Sequence, residues 1–272
     1  MNNDNKIIAR NNIKVLGTGK ETILFAHGFG CDQNMWRFVI PAFEKQYKIV
    51  LFDYVGCGKT DLKAYNPEKY NSLHGYAEDV LEICETLQLR DVFFVGHSVS
   101  CMIGILAGIQ KPEIFRSMVF IGPSPRYINE SGYFGGFERS DLEGLLDVMD
   151  NNYIGWANFL APVVMKNPDQ HELVHELEES FCSTEPTITR KFAEVTFFSD
   201  NRADVSNLLV PCLILQCSDD AIAPDEVGDY MFKNIARSQF KKMKATGHCP
   251  HMSHPEETIE LIQKFISEPV YE

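Results

Sequence analysis

Positive charge is scarce in this sequence. Its 272 residues carry 25 Lys and Arg against 38 Asp and Glu, a formal net charge of −13 at pH 7. No basic cluster interrupts that excess, which argues against nucleic acid or an anionic membrane as a partner, since both require concentrated positive charge. Long hydrophobic runs are missing too. The most apolar stretch, C-M-I-G-I-L-A-G-I at 101–109, is far too short to span a bilayer and reads as a buried helix. The opening M-N-N-D-N-K-I-I-A-R lacks the apolar core and cleavage site of a secretory signal. The eight cysteines, at 31, 57, 84, 101, 182, 212, 217 and 249, form no C-x-x-C pair. Reduced cytoplasmic thiols are therefore expected rather than a disulfide framework, with Cys101 and Cys212 behaving as small hydrophobes. Internal repeats and low-complexity tracts are absent as well.

What is present fits a globular chain: 44% hydrophobic and 23% charged residues, enough for one large core with an inserted subdomain. Short apolar runs stand at 13–16, 22–26, 48–52, 92–95, 118–121 and 212–216. Most are unbroken rather than alternating, as in central parallel strands buried on both faces. Helical segments are expected at 77–89, 100–110 and 226–236. The first two runs, joined by G-T-G, read as an antiparallel hairpin, and the remainder as alternating strand and helix. This is an α/β architecture with a mostly parallel sheet. Between Gly122 and Pro211 the alternation stops, and four helices are expected at 139–150, 153–166, 169–182 and 187–198. They read as a helical lid over 126–204, inserted into a core of 1–125 and 205–272.

Ligands of open α/β sheets bind beyond the carboxyl ends of the strands, and chemistry-bearing residues gather there. His27-Gly28-Phe29-Gly30 follows one strand, Asp53 another, Ser98 a third and Asp219-Asp220 a fourth, while His248 follows a last short strand at 239–243. G-H-S-V-S at 96–100 is a G-x-S-x-G nucleophile elbow with Ser100 in place of the last glycine, where a small side chain is needed. Alone, Ser98 could be an ordinary helix N-cap. With H-G-F-G upstream, G-H downstream, and Ser, Asp and His in that order, it reads as the nucleophile of a triad. His248 would take its proton, and a buried aspartate would hold the imidazole tautomer. On the residues alone, Asp219 and Asp220 are equal candidates. The backbone N–H groups of Phe29 and of Val99, at the start of a helix, would form the oxyanion hole.

Three rival motifs fail. H-E-L-V-H at 171–175 matches a zinc-peptidase pattern, but Leu173, Val174, Leu177 and Phe181 make that helix amphipathic with its histidines on the polar side, and no third-ligand motif follows. His248, His251 and His254 are loosely spaced, and Pro250 and Pro255 argue for a loop, so His251 and His254 read as structural or exposed. G-C-G-K-T at 56–60 lacks the phosphate-loop glycine at position 53, where Asp53 stands, and Asp61 breaks G-x-G-x-x-G. No metal, nucleotide or other cofactor is expected.

The strings H-G-F-G-C-D-Q-N-M-W (27–36), D-Y-V-G-C-G-K-T-D (53–61), G-P-S-P-R-Y (122–127), N-Y-I-G-W-A (152–157), L-Q-C-S-D-D-A-I-A-P (215–224) and G-H-C-P-H-M-S-H-P (247–255) make the chain resemble the RsbQ-type α/β hydrolases, and the related plant strigolactone and karrikin receptors. The resemblance spans almost the whole chain. It implies an α/β-hydrolase fold: a mostly parallel eight-stranded sheet, helices on both faces, and a four-helix lid over an apolar pocket. It also implies Asp220, four residues before Pro224, as the triad aspartate, and Phe29, Phe137, Trp156, Phe159 and Phe197 as pocket residues. The activity implied is a serine hydrolase of a small apolar ester or lactone. Dehalogenase chemistry is disfavoured, because its elbow nucleophile would be an aspartate. The alternative is a slow-turnover ligand sensor whose lid binds a partner. In that family the hydrolase acts upstream of a PAS-domain phosphatase in sigma-B stress signalling.

Overall fold

Unbroken apolar runs build the centre of a single sheet. The computed structural model describes residues 3–268. Its strands are β1 (Lys14–Leu16), β2 (Thr22–Ala26), β3 (Lys48–Leu51), β4 (Val92–His97), β5 (Phe115–Ile121), β6 (Cys212–Ser218) and β7 (Ser238–Thr246), in spatial order β1-β3-β2-β4-β5-β6-β7. Every neighbouring pair is parallel except β1 with β3. Successive strand residues feed opposite faces, and both faces are covered. Ile23, Phe25, Phe93 and Val95 join one buried cluster, whereas Leu24, Ala26, Val92 and Phe94 join the other.

The helices are α1 (Asn3–Arg10), α2 (Leu73–Thr86), α3 (Val99–Gln110), α4 (Arg139–Asn151), α5 (Tyr153–Met165), α6 (His171–Cys182), α7 (Pro186–Phe197), α8 (Arg202–Val205), α9 (Asp225–Asn234), α10 (Pro250–Ser253) and α11 (Pro255–Ser267). Helices α2 and α3 cover one face of the sheet, and α11 covers the other through Ile262 and Ile266. Among the described residues no helix is long and apolar enough to cross a membrane.

Two expectations about the sheet are corrected. Among the described residues it has seven strands rather than eight. The segment before β1 is helix α1, whose Arg10 ion-pairs with the buried Asp79 of α2. Nor do the first two runs form a hairpin, because β1 pairs with β3, Lys14 opposite Leu51. The G-T-G segment packs against the backbone leading into β3: a Cβ on Gly17 would lie 2.2 Å from the Tyr47 carbonyl oxygen, and one on Gly19 2.0 Å from that of Gln46. Those contacts carry the chain across β3 before it enters β2.

Between β5 and β6 the chain leaves the sheet as helices α4 to α7, starting and ending within two residues of the expected positions. They bury Leu146, Trp156, Leu160, Leu177, Phe181 and Phe197 in the same cluster as one face of the sheet. Gly30 permits this docking, since a Cβ there would sit 2.4 Å from the Phe181 ring. Polar ties join the lid to the core as well: Ser180 Oγ donates to the Gly30 carbonyl at 2.8 Å, Asn167 Nδ2 to the Thr246 carbonyl at 2.9 Å and Gln170 Nε2 to the Ser253 carbonyl at 3.1 Å, His248 N–H donates to the Val164 carbonyl at 2.9 Å, and Arg37 pairs with Glu176.

Candidate active site

The turn from β4 into α3 holds Ser98 at φ 57°, ψ −122°, a sparsely populated conformation for any residue but glycine. The structure over-determines it. Ser98 N–H donates to the Ile121 carbonyl of β5 at 2.8 Å. A side chain at Gly96 would meet the Ser100 carbonyl oxygen at 3.0 Å and the Phe94 ring at 2.7 Å. The strained turn lifts Ser98 Oγ off the strand end toward His248, whose Nε2 lies 2.8 Å away.

His248 Nδ1 lies 2.7 Å from Asp220 Oδ2, and the Ile222 and Ala223 N–H groups donate to Oδ1 at 2.8 and 3.1 Å. The carboxylate therefore keeps the imidazole proton on Nδ1 and turns the Nε2 lone pair toward the serine hydroxyl. All three residues are buried. Gly122 makes room, because a Cβ there would stand 3.0 Å from the His248 ring. Asp219 points the other way: its side chain is 67% exposed and pairs with Lys166 of the lid at 2.5 Å. Of the two aspartates, only Asp220 reaches His248.

The H-G-F-G turn lies beside the nucleophile, since a Cβ on Gly28 would be 3.4 Å from Ser98 Cβ. His27 organises this turn. Tyr54 N–H donates to its Nε2 at 3.1 Å, so Nδ1 carries the proton and donates to the Gly28 carbonyl at 2.8 Å. Burial lowers the pKa of His27 against the opposing pull of Asp53. Among the described residues neither the Phe29 nor the Val99 backbone N–H has a hydrogen-bond acceptor. Val99 is the first residue of α3, where the helix dipole favours negative charge.

Ser100 does more than stay small. Its hydroxyl donates to the His27 carbonyl and lies 2.9 Å from Tyr54 OH, tying the first turn of α3 to the H-G-F-G turn. Asp53, at another strand end, is structural: it accepts from the N–H groups of Gln33 and Lys59 at 2.8 and 3.1 Å. The G-C-G-K-T loop thus wraps a carboxylate of its own chain. His175 in H-E-L-V-H is 71% exposed and pairs with Glu178 and Glu179.

Above Ser98 lies a cavity of about 30 Å³. Phe29 and Phe197 line it, together with Tyr127, Leu160, Phe181 and Ile222. Three expected pocket residues are placed elsewhere. Trp156 is fully buried one layer back, its ring 6.1 Å from that of Phe29 and 5.2 Å from that of Phe181. Phe137 sits in the connection into the lid, where its backbone N–H donates to the Tyr127 carbonyl at 3.1 Å. Phe159 is 63% exposed on the outer face of α5. Trp156, Leu160 and Val164 recur every fourth residue along the inward face, and that helical spacing was the signal for Leu160 over Phe159. Tyr127 was missed: its buried hydroxyl faces Ser98 and makes no hydrogen bond of good geometry.

Comparisons with known proteins point to a family. Residues 23–261 match the family model described as "Alpha/beta hydrolase family". The chain is 36% identical to Karrikin insensitive 2 receptor CA of Petunia hybrida, over 94% of this chain and 95% of that one. It is 33% identical to Strigolactone esterase D14 of Arabidopsis thaliana, over 93% and 95%. Among solved structures, a hydrolase from Oleispira antarctica superposes with a TM-score of 0.96 at 46% identity, covering 98% of each chain. The elbow, the triad geometry and these matches lead to one family: the chain belongs to the alpha/beta hydrolases.

Proposed function

We propose that this protein hydrolyses a small, largely apolar ester or lactone through an acyl-enzyme on Ser98. The observation that carries the reading is the continuous Asp220–His248–Ser98 hydrogen-bond chain opening on an apolar cavity. As Ser98 Oγ attacks the carbonyl carbon, His248 Nε2 takes its proton, and Asp220 stabilises the imidazolium. The Phe29 and Val99 N–H groups receive the developing oxyanion, each such donor contributing roughly 3–4 kcal/mol to the transition state. His248 then protonates the departing alkoxide, which stays tethered to the acyl group if the substrate is a lactone. A water activated by the same histidine releases the acid and restores the serine.

A cavity of about 30 Å³ holds little more than one water, against about 300–1,000 Å³ for ordinary ligand sites. Substrate entry therefore requires the lid helices to move outward. Purified protein is expected to cleave a short-chain aryl ester, and Ser98→Ala to abolish the cleavage. Unchanged turnover in the variant would remove Ser98 from the role.

A second reading makes the same site a sensor. In it the protein is cytoplasmic, turns over slowly, and reports its ligand to a PAS-domain phosphatase in an RsbQ-like stress pathway. The small volume of the cavity supports it, as do Ile154 and Phe159, 66% and 63% exposed on α5, apolar groups on the element that must move. Ligand-dependent capture of such a phosphatase domain by wild-type protein, weakened by Phe159→Ser with esterase activity intact, would favour this reading. Signalling that depends on Ser98 but never on the lid surface would count against it.

A further inference from the structure

Behind the triad, His97, Cys249 and His251 form a buried group that hydrolysis does not use. One ligand atom from each lies within 4.8 Å of the other two. His97 Nε2 donates to the His248 carbonyl at 2.8 Å, which leaves Nδ1 a bare lone pair, and that atom has no hydrogen-bond partner. His251 is fully buried between Trp36 and His97, with ring centroids 4.7 and 4.4 Å away, yet neither of its ring nitrogens has a partner. Cys249 is a free, buried thiol. Polar atoms hidden from water without partners are rare and costly, and point to something that satisfies them.

Two imidazoles and one thiol are a soft-to-borderline donor set. We propose that His97, Cys249 and His251 bind one thiophilic d10 cation, Zn(II) or Cu(I), and that binding switches hydrolysis off. Ligation displaces the Cys249 thiol proton to solvent and involves no redox change. His97 and Cys249 both line the cavity above Ser98, which gives the ion the same entry route as the substrate.

The switch follows from chain connectivity. His97 immediately precedes the nucleophile and Cys249 immediately follows the base. Metal bonds of about 2.0–2.3 Å hold ligand atoms roughly 3.3–3.8 Å apart. Drawing the three groups in to that spacing shifts both flanking residues and breaks the 2.8 Å Ser98–His248 hydrogen bond.

The inhibitory half rests on the hydrolase reading, so the first measurement is independent of turnover. Ser98→Ala protein is titrated with Zn(II), and separately with Cu(I), in chelator buffers. One ion per chain is expected for at least one metal, with a thiolate charge-transfer band when Co(II) is substituted. His251→Phe, which keeps the ring, and Cys249→Val should each weaken binding at least tenfold, and Cys249→Val should lose the band. Each variant carries the test alone if the other fails to fold. In wild-type protein the same ion should suppress ester cleavage reversibly, while His251→Phe should withstand at least tenfold more of it. Equal uptake and inhibition in wild type and His251→Phe would place the ion elsewhere, on His248–Asp220 or on His171–His175. That result would overturn the proposal, as would failure of the Ser98→Ala protein to take up either metal.

Discussion

The Ser100 hydroxyl donates a hydrogen bond to the backbone carbonyl of His27, joining the helix behind the nucleophile to the turn that carries Phe29 N–H. Tyr54 OH completes the link, 2.9 Å from Ser100 Oγ. A glycine at position 100 would satisfy the sterics of the elbow and lose this bridge. Ser100→Ala and Ser100→Gly are therefore both expected to destabilise the protein by about 1–3 kcal/mol, the cost of leaving a buried partner unsatisfied. Both should lower kcat for an aryl ester more than they change KM. Urea unfolding and steady-state kinetics check this, and a more active Ser100→Gly would contradict it.

The two adjacent aspartates should separate cleanly. Asp220→Asn keeps the shape but allows the wrong His248 tautomer, and a loss of roughly 10⁴-fold in kcat is expected by analogy with other serine triads. Asp219→Asn removes only a surface pair with Lys166, of the kind worth about 1 kcal/mol or less, and kcat should stay within about twofold. Comparable losses in the two variants would count against the assigned roles.

Acid should weaken the fold through His27. Its pKa is lowered in the native state by burial, which outweighs the opposing charges of Asp53 and Asp32, whereas an unfolded histidine titrates near 6.5. Below about pH 6.5 the unfolded chain binds a proton that the native chain refuses. The stability present at higher pH is then lost by about 1.4 kcal/mol per pH unit for this one group until its native pKa is reached. His27→Gln can still accept from Tyr54 N–H and donate to the Gly28 carbonyl. Urea midpoints measured with EDTA between pH 7 and pH 5 should fall less steeply for it, by about one proton. An unchanged slope would show that His27 carries no such linkage.

Pocket residues on α5 should follow helix geometry rather than aromatic character. Leu160→Trp is expected to raise KM or abolish binding of an aryl ester, because Leu160 faces the cavity. Phe159→Ser should leave hydrolysis within about twofold, because that ring is already in solvent. Titration of initial rates against substrate separates the two.

Much of this was legible beforehand because the signals are local. A run such as V-F-F-V marks a strand covered on both faces, and the four lid helices follow from apolar spacing and turn residues. The elbow sequence encodes its own strained turn, so Ser98 and Val99 are placed by the residues around them. Other features depend on contacts between distant segments. The path of β1 is set by two glycines pressed against residues 44–47, a contact 27 or more residues away in the chain. The inward face of α5 is set by what α6 and α7 leave open, and an aromatic residue beside the right position is indistinguishable by composition from one on it.

By itself the sequence determined the α/β class, the order of nucleophile, acid and base, and the presence of a helical insertion. Each depends on periodicity or on residues a few positions apart. Only the tertiary structure decided which aspartate meets His248, what Ser100 holds, which side chains close over Ser98, and that His97, Cys249 and His251 share one buried space. These are relations among segments 150 or more residues apart in the case of Ser98 with His248 and of His97 with His251, and packing, rather than local preference, brings them together.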